Sequence, residues 1–332
     1  MRCIICKPIS VHEEPSLSQT IQIINRIVPI ILLLFIGKWI QTSKLVAGQS
    51  VADIKKIVIN FALPAVLFNS FLEVELQPSY LWFLPVIFGY CLLLYFFGVI
   101  LHQRLDIQGQ YFPFLTTGFE YGMIGVSLFG AAYGLDKIGK FAVVDFGQEM
   151  FIWFLYTALL VQKRDGASDT GKLLKMFASS PVIIAIFAGI LLNLIGLPEL
   201  LDSIPFIGGL LATIDLGGSL TVPLILIVVG YGIRIDMKEF YYSARLIAVR
   251  LMVNIPAALL LNRVFIEGIL GLDKGFKAAL FTLLILPPPF ILTLYMKPGL
   301  KEEMHSVDNT LTLHTIITIL IFIIYFSLNP TI

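Results

Sequence analysis

Charge is what this chain has least of. Asp, Glu, Lys and Arg make up 14% of its 332 residues, and acid and base nearly cancel at a net +1. So sparse and balanced a charge excludes a nucleic-acid-binding surface. Cysteine is equally scarce: Cys3, Cys6 and Cys91 are the only three, too few for a disulfide framework. Cys3 and Cys6 form a C-x-x-C with no second ligand pair near it, so the usual donor set of a structural metal is missing. Cys91 lies inside an apolar run and reads as a small buried hydrophobe. There is no G-x-x-x-x-G-K-[ST], which excludes ATP-driven transport by this chain alone. Nor is there an H-E-x-x-H, a G-x-S-x-G or a paired Asp-rich motif, so no enzyme, cofactor or metal is expected. The first 19 residues carry Glu13, Glu14 and Pro15 and lack an apolar core with a small-residue cleavage site, so they read as a tail and not as a signal peptide.

What is present is hydrophobic sequence from end to end. Apolar residues reach 58%, and the mean hydropathy is +0.90. A bilayer core needs about 20 apolar residues per helix. Ten such segments fall near 20–42, 50–73, 79–101, 112–134, 138–162, 179–197, 207–233, 240–262, 274–296 and 307–328. Their runs are long and lack period-2 alternation, which favours helices over a barrel. The expected fold is an all-α polytopic membrane protein. Trp82, Phe83, Trp153 and Tyr156 are expected at membrane interfaces or facing lipid.

The loop Lys163–Lys175 gathers charge, Gly, Ser and Thr between two apolar halves. It divides the spans five and five. The expected organisation is a tail over 1–19, a first five-helix unit over 20–162, a linker over 163–178 and a second unit over 179–328. An odd number of spans per half makes two similar halves enter the membrane in opposite directions, the inverted-repeat plan of many secondary transporters. Pro64 and Pro223 in the second span of each half, and Pro85 and Pro256 in the third, support it. Basic residues concentrate in the loops on the side of Lys163–Lys175, while the loops at 73–79 and 197–206 carry Glu73, Glu75, Glu199 and Asp202. That bias puts the linker in the cytoplasm and both termini outside.

The fourth and ninth spans cannot be plain helices. The fourth, FPFLTTGFEYGMIGVSLFGAAYG, has glycines at 118, 122, 125 and 130 and a carboxylate, Glu120, at membrane depth. The ninth carries Pro287, Pro288 and Pro289 in succession. Each proline in a helix interior costs about 3 kcal/mol, by removing a donor and clashing with the preceding turn. Such breaks persist in lipid only where the freed backbone faces protein, water or a ligand. Two broken helices meeting at the midplane would present amides, carbonyls and helix-end dipoles to a small solute or ion.

Intramembrane polar residues are functional candidates by default. Asp145 and Glu149 share one face of the fifth span, with Gln148 beside them. Glu120 and Asp145 are the candidate coupling residues; the alternative places one of them near an interface, paired with Lys137 or Lys140. Asn60 and Asn69 could reach the broken helices or bridge neighbouring ones. Arg245 and Arg250 are expected to snorkel to the interface. Asp215 and Asp308 are expected near helix starts, as capping or interface residues. Asp308 and His314 lie six residues apart and do not share a helix face, so no relay links them.

In this order and spacing, FALPAVLFNSF (61–71), G-x-x-G followed by LFGAAYG (122–134), VVDFGQEMFIW (143–153) and IDLGGSLTVPLILIVVGYGI (214–233) give the chain a resemblance to the auxin efflux carrier family, which includes prokaryotic carriers of small organic acids. The resemblance covers nearly the whole chain. It implies two inverted five-helix repeats, a scaffold part and a transport part, crossing fourth and ninth helices that form the substrate site, and an elevator-like slide. Where the family's fourth helix reads Asn-x-Gly-x-x-Gly-x-Pro, this chain has Glu120, Gly122, Gly125 and Ser127. A carboxylate replaces an amide and a serine replaces a proline. An ionised Glu120 would repel an anion, so a protonated carboxyl, a bound cation, or a neutral or cationic cargo would have to relieve it.

The expected function is therefore a secondary or facilitative transporter of a small organic solute, a carboxylic acid before others, in the plasma membrane. Substrate contacts are expected from Gly122, Gly125, Ser127, Pro287, Pro288, Pro289, Asn60 and Asn69, and ion coupling (H+ or Na+) from Glu120, Asp145, Gln148 and Glu149. The partners are the solute and the bilayer, and a homodimer is compatible with this plan. Two alternatives stay open, a sodium-coupled symporter of the bile acid carrier type and a membrane sensor on a degenerate transporter fold.

Overall fold

The computed structural model describes residues 17–104, 109–166, 170–196, 205–234, 236–297 and 299–332. Cys3 and Cys6, most of the N-terminal tail, Glu199, Asp202 and part of the 163–178 linker lie outside the described residues. No strand occurs among the described residues, and the chain is helical almost throughout. In chain order the α-helices are α1 (Leu17–Ser43), α2 (Gly48–Ile57), α3 (Leu63–Glu73), α4 (Phe83–Arg104), α5 (Phe112–Thr116), α6 (Val126–Tyr133), α7 (Ile138–Phe151), α8 (Thr157–Asp165), α9 (Thr170–Ala178) and α10 (Pro181–Leu194). They continue as α11 (Pro205–Ser219), α12 (Thr221–Gly232), α13 (Phe240–Leu261), α14 (Lys274–Ile285), α15 (Ile291–Tyr295) and α16 (Lys301–Leu328).

Among the described residues, six helical runs are long and apolar enough to cross a membrane: Ile23–Ser43, Pro78–Arg104, Leu135–Asp165, Ile207–Gly232, Phe240–Ile269 and Lys301–Leu328. The other four expected spans are helical but fall short of that length or composition, each for its own reason. The second begins with Asp53, Lys55 and Lys56 within α2. α10 has only 14 residues. The fourth and ninth are broken.

Wide π turns accommodate several irregularities. Between α2 and α3 the turn Val58–Ala62 sends the Leu63 N–H to the Val58 carbonyl, five residues back, and Pro64 follows at the first positions of α3. A proline there loses no donor that the helix needs. Glycine allows two close helix contacts. A Cβ on Gly37 of α1 would run into the α12 backbone at Ile227 and Tyr231, and one on Gly189 of α10 would lie 2.6 Å from the Phe68 carbonyl of α3.

The fifth span is the central one. The most apolar stretch of its run, Leu135–Asp165, is 56% buried, against 11% for that of Ile23–Ser43, because α7 packs on α3, α4 and α14. Phe141, Val144 and Phe151 are sealed inside. Phe83 and Tyr156 are fully buried too, against the expectation of interfacial aromatics. Phe83 sits within rings of Phe265 and Phe276, and Tyr156 stands edge-on to Phe114. Trp82 remains exposed.

Candidate functional site

The two breaks touch. α5 stops at Thr116, Thr117 is extended, and Gly118 takes φ +67°, a left-handed backbone that glycine adopts without steric cost. A Cβ at Gly118 would lie 2.8 Å from Cγ of Pro289 and 2.9 Å from Cδ1 of Ile152. α14 stops at Ile285, Leu286 turns to φ −64° and ψ 152°, and α15 resumes only at Ile291 after the three prolines. The Glu120 N–H donates to the Pro287 carbonyl at 2.8 Å, and the Phe290 N–H donates to Oε2 of Glu120 at 2.6 Å. Oε1 of Glu120 accepts from the Met123 N–H at 3.3 Å. Glu120 therefore caps its own π turn and also receives the first amide after the proline run.

Buried carbonyls must find donors, and those freed at the first break do so one after another. The Phe114 carbonyl accepts from the Tyr156 hydroxyl at 3.1 Å, Leu115 from Nη1 of Arg250 at 3.1 Å, and Phe119 from Nε2 of Gln148 at 2.9 Å. Nη2 of Arg250 donates to the Gly118 carbonyl and, at 3.3 Å, to that of Leu286. Arg250 thus ties the first break to the second. It is 3% exposed, which corrects the expectation that it snorkels. It stands ten residues into α13, about 15 Å from the helix start, too deep for its head to reach an interface. Counting that depth was the one signal in the sequence that could have found it. Arg245 is exposed.

Asp145 is 1% exposed, and its Oδ1 has no hydrogen-bond partner. Asp145 and Glu149 stand four residues apart on α7 and so share one helix face. Oε2 of Glu149 accepts from Trp153 Nε1 at 2.9 Å. Neither acid pairs with Lys137 or Lys140, because Lys137 pairs with Asp136 at 3.1 Å and Lys140 with Asp273. Oε1 of Gln148 and the Tyr121 hydroxyl are also buried without partners. Tyr121 packs at 4.8 Å on Phe141, one turn from Asp145 on the same helix.

The other expected site residues divide. Gly125 is buried, with space for a Cβ taken by Leu286 and Phe141, and Gly122 lies 3.2 Å from Leu63 on the same measure. Pro287 offers its carbonyl to Glu120, and that of Pro289 accepts from Leu292 at 3.1 Å. Ser127 is fully buried and donates to its own helix, at Met123 (2.6 Å) and Ile124 (3.0 Å), so its one proton is not free for a solute. Asn60 is exposed and donates to Lys56 at 2.8 Å, one turn back on its own helix, so it does not reach the broken helices. Asn69 is half-buried on α3 with no hydrogen bond to either break. Asp215 is exposed within α11, and Asp308 lies a full two turns inside α16, so neither caps a helix start. His314 is fully buried, with no partner on either ring nitrogen.

A cavity of about 780 Å³ ends at this crossing. Its lining includes Met123 and Phe290, which flank the crossing in sequence, together with Lys55, Thr293, Arg234 and His305. Lys55 Nζ stands 5.9 Å over the Phe290 ring and forms no ion pair with a described carboxylate. No protein-family model matches the chain, and no curated protein does.

Proposed function

We propose that this protein is a secondary transporter of the auxin efflux carrier type, which moves a small organic solute by alternating access at the crossing of its broken fourth and ninth spans. The observation that carries the reading is the pair of bonds from Glu120 to Pro287 and Phe290, at the end of a cavity wide enough for a small solute. Non-helical backbone at this depth, buried in protein and facing a cavity, is the usual construction of a transporter site. Helix pairing supports the inverted repeat of two five-helix units, 20–162 and 179–328. The first helix of one half packs on the seventh span (α1 on α12), and the first helix of the other half packs on the second span (α10 on α3). In this reading the chain crosses the plasma membrane ten times, with both termini outside, and one half-pair of bundles slides against the other.

Met123 and Phe290 suit an apolar body, and Lys55 beside them suits a carboxylate, so a small organic acid is the favoured cargo. Asp145, buried with Oδ1 unpartnered, and Glu149 on the same face of α7 support coupling to protons, since two carboxyls brought together away from water hold a proton between them better than two negative charges. The test is uptake of labelled small carboxylates into proteoliposomes, with and without a pH gradient, in sodium and in choline. Flux that follows the pH gradient, ignores sodium and loses its pH dependence in Asp145→Asn is expected. Sodium-driven flux would move the reading to a symporter of the bile acid carrier type, and saturable binding without flux to a sensor. Glu120→Gln should retain membrane insertion and lower the rate of uptake, because both carboxyl oxygens accept backbone N–H groups and an amide has only one oxygen to accept with.

A further inference from the structure

We infer that the crossing contains a cation site which the protein fills with its own guanidinium, that of Arg250. The inference rests on the transport reading only for its consequence, that no free cation has to bind there during the cycle. Three carbonyl oxygens, from Leu115, Gly118 and Leu286, converge on the two terminal nitrogens of this one side chain. They belong to two stretches of chain, Leu115 and Gly118 to the first break and Leu286 to the second, and each was released where a helix stops. Convergent backbone carbonyls in a site without water are the surroundings in which membrane proteins hold bare cations. The planar fork of a guanidinium serves acceptors on two sides at once, which a lysine ammonium does from a single point. The face of the guanidinium is covered by the Phe119 ring, 4.9 Å away.

The charge of Arg250 is not met by an acid. It is 3% exposed, and among the described residues no carboxylate comes within ion-pair distance. A buried arginine with a structural role is ordinarily paired with a carboxylate. Here backbone oxygen and an aromatic face do that work, as they would for a bound ion. Nε has no partner, so the contact is made by the terminal nitrogens alone, and a free guanidinium could reproduce it. The site is therefore neutralised by the chain itself, and sodium has no place at these carbonyls while Arg250 is present. Once vacated, the site accepts guanidinium-type cations.

The experiment is chemical rescue of Arg250→Ala in detergent. Its thermal midpoint is measured against methylguanidinium, sodium and choline chlorides at matched concentrations of tens of millimolar, beside the unaltered protein. A ligand that binds the folded state raises the midpoint. The expected result is a lower midpoint for the variant, raised saturably by methylguanidinium alone, with the unaltered protein unmoved by it. A midpoint that never fell, or that fell and answered to no cation, would overturn the inference, because the arginine would then act by packing only. Recovery by sodium in place of methylguanidinium would overturn the assignment of the ligand. If the variant does not survive extraction, extraction with methylguanidinium present decides the matter: recovery supports the site, and no recovery removes it. Arg250→Met, which fills the space without charge, should ignore methylguanidinium. None of these readings involves transport, so their failure leaves the transport proposal standing, and absence of flux leaves this site untouched.

Discussion

The two breaks interrupt their helices by opposite means. At 286–290 the interruption is written into covalent structure, since three consecutive prolines lack donors and force the preceding residue out of the helical region. At 117–120 nothing comparable exists. Gly118 permits the turn at φ +67° but does not compel it, and the stretch is held open by donors from elsewhere: Tyr156, Gln148 and Arg250 for its carbonyls, and Thr117 Oγ1 on the Cys91 carbonyl at 2.5 Å. One break is local and the other is tertiary. The proline break should therefore survive the loss of its surroundings, whereas the glycine break should not.

Substitution can test this asymmetry. The largest effect is expected from Arg250→Met, which leaves three buried carbonyls without a donor at about 1–3 kcal/mol each. A loss on the order of 4 kcal/mol should lower the thermal midpoint sharply. Amide exchange should then quicken at 117–120 more than at 286–292, and equal quickening would erase the distinction between the breaks. Gly118→Val comes next. It forces a branched side chain into a left-handed backbone and against Pro289 and Ile152, for a cost of about 3 kcal/mol, again read as a fall in thermal midpoint. Pro288→Ala should cost less than about 1 kcal/mol, because Pro287 and Pro289 still bar a helix on either side; a large drop would show that the second break also depends on fine packing. Asn60→Ala should change stability by no more than about 0.5 kcal/mol and leave uptake intact, as expected for an exposed surface residue.

The legibility of the site follows the same division. The ninth-span break, the carboxylate of Glu120 and the interior placement of Asp145 and Gln148 were open to reading, because proline chemistry and the cost of a charge in lipid act wherever the residue stands. Arg250 was misread, since an arginine on an apolar helix usually lies within reach of water. Asn60 was misread for the converse reason: an amide in an apolar span suggests a partner across the interface, yet its donor finds a carbonyl on its own helix. Phe83 and Tyr156 are expected on the outside and are buried instead, because composition identifies aromatics without saying which face of a helix turns inward.

By itself, then, the sequence determined that the chain is helical, where most helices run, and that the ninth span cannot be continuous. Those properties follow from apolar length and from proline, which act over one or two turns. Only the tertiary structure decided which polar groups meet. Arg250 lies 135 residues from Leu115, 132 from Gly118 and 36 from Leu286, and the rotation of α13 against the broken helices, set by packing, is what brings one guanidinium to all three carbonyls.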